Sequence, residues 1–150
     1  MSRKLLFVLA DGGRVRFVER SPSGHFVTFE TIDRTLALSQ LRTELRASPP
    51  ARTHASASPR RSSVGQEDYV RPAKEAFMAE VAARATALVK ERCLDGILLA
   101  APPQLIGPLR ASLDGAGPVA GAIRKDLTKV PDHELGAWLN AAHTSLPLSL

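Results

Sequence analysis

A single α/β domain, built on a five-stranded mixed sheet with helices on its faces, is the fold class this sequence predicts, and three observations predict it. Residues 4–32 hold three strand-like runs separated by turn residues; residues 72–92 hold a long helical repeat; the remainder alternates short apolar runs with helical ones. The 150 residues are one domain's worth of chain, long enough to bury a core without disulfide or metal staples.

The elements follow in order. Leu5 to Ala10 are apolar at every position, which belongs to a strand near the sheet centre with both faces covered. Val15 and Phe17 alternate with Arg14, Arg16 and Glu19 in a second strand, and residues 26–32 alternate again in a third. Asp11-Gly12-Gly13 between the first two is turn chemistry that tolerates positive φ, and Ser21-Pro22-Ser23-Gly24 makes the next turn, so the opening reads as an antiparallel meander. Leu36, Leu38, Leu41 and Leu45 mark the apolar side of a helix ending near Ala47, with Asp33 or Thr35 as its cap. Residues 48–66, with prolines 49, 50 and 59 and several serines, offer almost nothing to a core and are expected to form a flexible loop. Pro72 then suits the first turn of the long helix, in which Phe77, Val81, Ala85 and Leu88 recur at near four-residue spacing.

Residues 97–101 are apolar throughout and bounded by Gly96 and Pro102-Pro103, the pattern of a buried parallel strand. A short helix over 105–113, a last strand over 119–123 and a closing helix over 131–142, with Leu135, Trp138 and Leu139 inward, complete the chain. The order β-β-β-α-α-β-α-β-α is that of the ribonuclease-H-like arrangement.

Composition excludes several functions. Cys93 is the one cysteine, so no internal disulfide or cysteine zinc cage exists, and its place near a helix end reads as packing. The apolar run after Met1-Ser2-Arg3-Lys4 is only six residues, too short for a signal-peptide core or a membrane span, and a cytoplasmic location is expected. Histidines 25, 54, 133 and 143 lack ligand spacing, so neither metal nor cofactor is expected.

The chain resembles the bacterial host attachment proteins, described as required for attachment to host cells and related to the central domain of archaeal and eukaryotic class-1 peptide release factors. The residues that carry the resemblance are Val8-Leu9-Ala10-Asp11-Gly12-Gly13-Arg14-Val15-Arg16-Phe17, the helix around Phe77, the stretch from Leu98 to Pro103 with Leu105-Ile106-Gly107-Pro108-Leu109-Arg110, and Lys125-Asp126-Leu127-Thr128. They occur in the family's order and span nearly the whole chain outside 48–66. The resemblance implies a release-factor central-domain-like fold and points to RNA or the ribosome as partner, with an indirect effect on attachment.

Candidate residues fall into three groups. The release-factor likeness implies a Gly-Gly-Gln loop before the long helix, and Val64-Gly65-Gln66 lies there with Gln66 as the candidate for peptidyl-tRNA hydrolysis. Val64 counts against that chemistry, because a β-branched residue does not adopt the conformations of a first glycine. Asp11, Asp95 and Asp126 fall near strand ends, where a metal-dependent nuclease would gather carboxylates, but each also has an ordinary job in a turn. The third group is basic. Residues 42–74 hold seven Lys and Arg against three acids, four of the chain's five net positive charges. Arg52, Arg60, Arg61, Arg71 and Lys74 are therefore the candidate nucleic-acid contacts, against the competing reading of a solvated loop. The expectation is a non-enzymatic binding module for RNA such as ribosomal or transfer RNA; a hydrolase or nuclease, and a protein-binding module in surface attachment, remain as alternatives.

Overall fold

The computed structural model describes residues 4–47 and 59–145. Strands β1 (Leu5–Ala10), β2 (Arg14–Arg20) and β3 (Phe26–Asp33) form the meander, followed by helices α1 (Thr35–Ala47) and α2 (Pro59–Glu91), strand β4 (Gly96–Ala100), helix α3 (Pro103–Ser112), strand β5 (Val119–Ile123), a 3-10 turn at Asp132–Glu134 and helix α4 (Gly136–Ser145). The sheet order is β3-β2-β1-β4-β5, with β1–β2 and β2–β3 antiparallel and β1–β4 and β4–β5 parallel. The result is one α/β domain with a five-stranded mixed sheet, and its apolar first strand lies at the centre as expected.

Both faces of β1 are buried because its side chains alternate between two cores. Leu6, Val8 and Ala10 join Val15 and Phe17 under α2 and α3, where Phe77, Val81, Ala85, Leu88, Ile106 and Leu109 close the layer. Leu5, Phe7 and Leu9 face the other way, with Phe26, Leu127, Leu135 and Leu139, and Phe7 meets Phe26 edge to face at 5.2 Å between ring centres. Among the described residues, no helix is long and apolar enough to cross a membrane.

The Asp11-Gly12-Gly13 turn forms, but not through positive φ, which among the described glycines occurs at Gly24 and Gly117. The Asp11 carboxylate instead accepts the backbone N–H groups of Gly13 and Arg14, both at 2.8 Å. Gly13 is needed for space: a Cβ there would meet Leu38 Cδ1 at 3.0 Å and Thr35 Cγ2 at 3.2 Å. Asp33 caps the following helix by accepting the Thr35 N–H at 2.9 Å.

The long helix departs from its expected start. Its backbone is helical from Pro59, so Pro72 lies inside it rather than in its first turn, and the C-terminal part of the loop expected at 48–66 is helical; residues 48–58 lie outside the described residues. The reason is that Arg60, Arg61, Gln66 and Glu67 are straight-chain helix formers, and unfitness for a core is not unfitness for a helix. Pro72 forfeits one backbone hydrogen bond, and 33 residues of helix carry that loss.

Three further expectations are corrected. Leu36 is 70% exposed, because Leu36 and Leu38 are two residues apart and cannot share one face of a helix. Cys93 is exposed, not packed in the core, and takes φ 53° where the chain turns out of α2. Trp138 is 40% exposed, with Leu135 and Leu139 alone filling the core from that stretch.

Arg84 on α2 and Glu30 on β3 form a two-pronged ion pair, with Arg84 Nη2 donating to Glu30 Oε1 at 2.7 Å and Nε to the other oxygen. The Arg84 hydrogen bond holds the Glu30 carboxyl below its ordinary value, despite the opposing effect of burial. Asp33 is lowered in the same direction, chiefly by the Thr35 hydroxyl and N–H. A carboxylate with a lowered folded-state pKa contributes stability that is present above its unfolded value and lost as pH falls through the folded one. The thermal midpoint is therefore expected to stay level from neutral pH to about 5 and to fall below about 4, and Glu30→Gln should flatten that acid limb. An equally steep limb in the variant would remove Glu30 from the account.

Candidate functional site

The C-terminal ends of β1, β4 and β5 lie together because these strands run parallel, and between β1 and β4 the chain has turned one way for β2 and the other for β5. Such a point in an open α/β sheet is where ligands usually enter. Asp11, just past β1, and Asp126, just past β5, are brought to this end, and Thr128 joins them. The Thr128 hydroxyl lies 2.5 Å from Asp126 Oδ1 and 3.3 Å from Asp11 Oδ2. A hydroxyl carries one proton, so the short contact to Asp126 is the donated bond and Asp11 is the second neighbour. Thr128 is only 5% exposed, and its N–H also donates to Asp126 Oδ1 at 2.8 Å.

Asp95 does not belong to this group. It precedes β4, so it sits at the opposite end of the sheet, where its carboxylate accepts the Lys4 N–H at 2.8 Å. The three carboxylates considered for a nuclease centre are thus split two and one. Among the described residues, no group of three or more His, Cys, Asp or Glu side chains is placed to hold a metal ion.

The basic candidates among the described residues lie on helix α2, toward the same end of the sheet as Asp11. Helix α2 is about 50 Å long at 1.5 Å per residue, whereas six-residue β1 spans about 20 Å. Among the described side chains of α2, those in the core over the sheet run from Phe77 to Val89, and the C-terminus of α2 leads to Asp95 beside Lys4, so the N-terminal half of α2 extends past the strand ends. Helix α1 packs along this half, and Ala37, Leu38 and Leu41 face Ala73, Ala76 and Phe77 across a groove closed at one side by the Arg34–Glu80 ion pair. The two helices form a projection.

On that projection Arg71 is exposed and Lys74 half-buried, with Arg42 and Arg46 contributed by α1. Arg60 and Arg61 lie in the first turns of α2, which fixes their backbone; their side chains and Arg52 lie outside the described residues. Gln66 is likewise within the helical backbone, so Val64-Gly65-Gln66 is not a loop preceding a helix as the release-factor comparison requires.

Sequence reasoning missed three things here. Arg124 and Lys129, which sequence reasoning passed over, are exposed together with Lys125 around the end of β5 and add charge at the same end of the sheet; only their clustering after a predicted strand signalled them. Lys125 stands over the exposed Trp138 ring at 4.9 Å. Arg16, which strand alternation placed among polar residues, is buried on the second face of the sheet. Its guanidinium donates to the carbonyls of Leu127 at 2.9 Å, Thr128 at 3.3 Å and Val130 at 2.5 Å, and pairs with Asp132 at 2.6 Å. Burial alone would raise the Asp132 carboxyl, but the Thr28 hydroxyl and N–H together with Arg16 hold it below the ordinary value.

A profile of the family described as "Protein required for attachment to host cells" matches residues 6–139. The chain belongs to that family. The match runs from β1 into α4, so the Asp11–Thr128–Asp126 cluster, the Arg16 clamp and the helical projection all fall inside the region that defines host attachment proteins. No curated protein matches the chain.

Proposed function

We propose that this host attachment protein is a non-catalytic, intracellular binding module whose partner is RNA, ribosomal or transfer RNA first, and that its effect on attachment is indirect. The observation that carries the reading is the placement of the local charge excess. Residues 42–74 hold four of the five net positive charges, and the described part of this stretch is the α1–α2 projection. A helical arm presents arginines at fixed spacing and neutralises phosphates without reading bases. Arg124, Lys125 and Lys129 extend the cationic surface from the arm toward β5. The strand order β3-β2-β1-β4-β5 supports the ribonuclease-H-like and release-factor central-domain-like kinship on which the choice of RNA leans.

A filter-binding titration against total transfer RNA and ribosomal RNA at two salt concentrations tests the proposal. Binding is expected to weaken steeply with salt, and the Arg60→Ala, Arg61→Ala double variant should reduce the log-log salt slope by about 1.4 to 1.8. No binding at low salt, or a slope unchanged in the variant, overturns it.

One observation favours a second reading. Asp11 and Asp126 meet at Thr128 at the ligand-entry end of the sheet, which keeps a phosphodiester-cleaving or ester-cleaving activity in view. RNA cleavage with added divalent metal that disappears in Asp11→Asn would support it; an inert wild-type protein removes it.

A further inference from the structure

The two edges of the sheet are built differently. At the β3 edge, the Thr28 N–H, which would otherwise await a partner, donates to Asp132 Oδ2 at 3.0 Å, and the strand carries Glu30 and Asp33 and a register irregularity opposite Phe17 and Val18. Capped donors, charges and bulges are the usual protections of an edge strand against pairing with another chain. Strand β5 shares only the register irregularity, opposite Ile97 and Leu98 of β4; it carries no charged side chain, and among the described residues none of its outward donors is capped. Its sequence is Val-Ala-Gly-Ala-Ile, and among the described residues nothing pairs with its outer side.

The direction of its backbone groups can be followed from the ladder. Ile123 turns its carbonyl inward, accepting the Ala101 N–H at 3.1 Å. Successive residues of a strand point their N–H and C=O groups to opposite sides, so Ala122 presents both of its groups outward, and its side chain is exposed.

We propose that the β5 edge is the interface of a two-fold dimer in which β5 pairs antiparallel with β5 of a second copy, continuing the sheet across both chains. Charge selects this occupant. Exposed Asp114 stands ahead of the strand, whereas exposed Arg124 and Lys125 follow it, and among the described residues neither Asp114 nor Arg124 has an ion-pair partner. Antiparallel pairing about a two-fold axis brings the acidic approach of each copy toward the cationic exit of the other, twice; parallel pairing would set like beside like. Exposed Trp138, held beneath Lys125 at the same exit, adds the kind of aromatic surface on which interfaces concentrate their energy. Five residues of strand make a small contact, so the dimer is concentration-dependent.

Sedimentation velocity of nuclease-treated protein from micromolar to millimolar concentration tests this, independently of RNA binding. The wild type is expected to move reversibly toward twice the monomer mass. Ala122→Pro removes an outward donor while leaving every bond to β4 in place, which an edge strand tolerates, and should weaken association roughly tenfold or more. Because a proline can also disturb the fold, charge supplies the second arm: Asp114→Arg alone should weaken the dimer, and Asp114→Arg combined with Arg124→Glu should restore it. A monomer throughout the range, association unaffected by Ala122→Pro, or failure of the charge exchange to restore pairing overturns the proposal.

Discussion

Arg16→Ala is expected to lower the free energy of unfolding by about 3 kcal/mol or more, a larger loss than any other polar substitution in the domain. The Arg16 residue is 9% exposed, and its fork serves the carbonyls of Leu127, Thr128 and Val130 as well as the Thr28 hydroxyl and Asp132. These three carbonyls belong to the segment that covers the second face of the sheet, so removing the guanidinium strips donors from the backbone that delivers Leu127 and Leu135 to the core. Asp132 is less exacting. Its side chain is 41% exposed, water can replace part of what it loses, and Asp132→Asn should cost about 1 kcal/mol. Arg16→Lys should fall between the two, since an ammonium cannot reproduce the geometry of a fork. Urea unfolding of the four proteins decides the matter: an Asp132→Asn loss as large as that of Arg16→Ala would make the ion pair, and not the carbonyl clamp, the source of the stability.

The same residue shows where sequence stops being informative. Alternation in β2 correctly sets Val15 and Phe17 on one face and Arg14 and Arg16 on the other, because period two is dictated by the strand itself. It does not say whether the other face is covered. The cover comes from residues 127–139, more than a hundred positions away, and only the fold makes an arginine there an interior residue. Trp138 fails in the opposite sense: Leu135 and Leu139 are a full helical turn apart and take the inner face, leaving the intervening tryptophan at the margin. The split of Asp95 from Asp11 was already implicit in the expectation of parallel strands, since one aspartate precedes its strand and the other follows it. The meeting of Asp11 with Asp126 was not, for it depends on the path taken after β5 and on Thr128, whose neighbours in sequence carry no sign of it. The start of α2 was missed because a rule for proline in a first turn outweighed the helix-forming side chains ahead of it.

Phe77→Ala is the second change with a large expected effect, about 3–5 kcal/mol. Phe77 is buried at the junction of three parts: it belongs to the core under α2, and it lines the groove against Ala37, Leu38 and Leu41 of α1 at the root of the projection. Its ring thus fastens the α1–α2 arm to the sheet, and its loss leaves a void that neighbouring alanines, Ala73 and Ala76, are too small to fill. Phe77→Leu keeps most of the volume and should cost about 1 kcal/mol. These variants also separate stability from recognition. Phe77 carries no charge, so Phe77→Leu, if folded, should bind RNA with the wild-type salt slope, whereas the Arg60→Ala, Arg61→Ala pair should lower the slope at little cost in stability. Urea unfolding and filter binding on the same preparations check both halves. A Phe77→Ala loss below about 1 kcal/mol would mean that the arm is held by something other than this ring, and a lowered slope in Phe77→Leu would mean that RNA affinity depends on the packing of the groove and not on the charge of the arm.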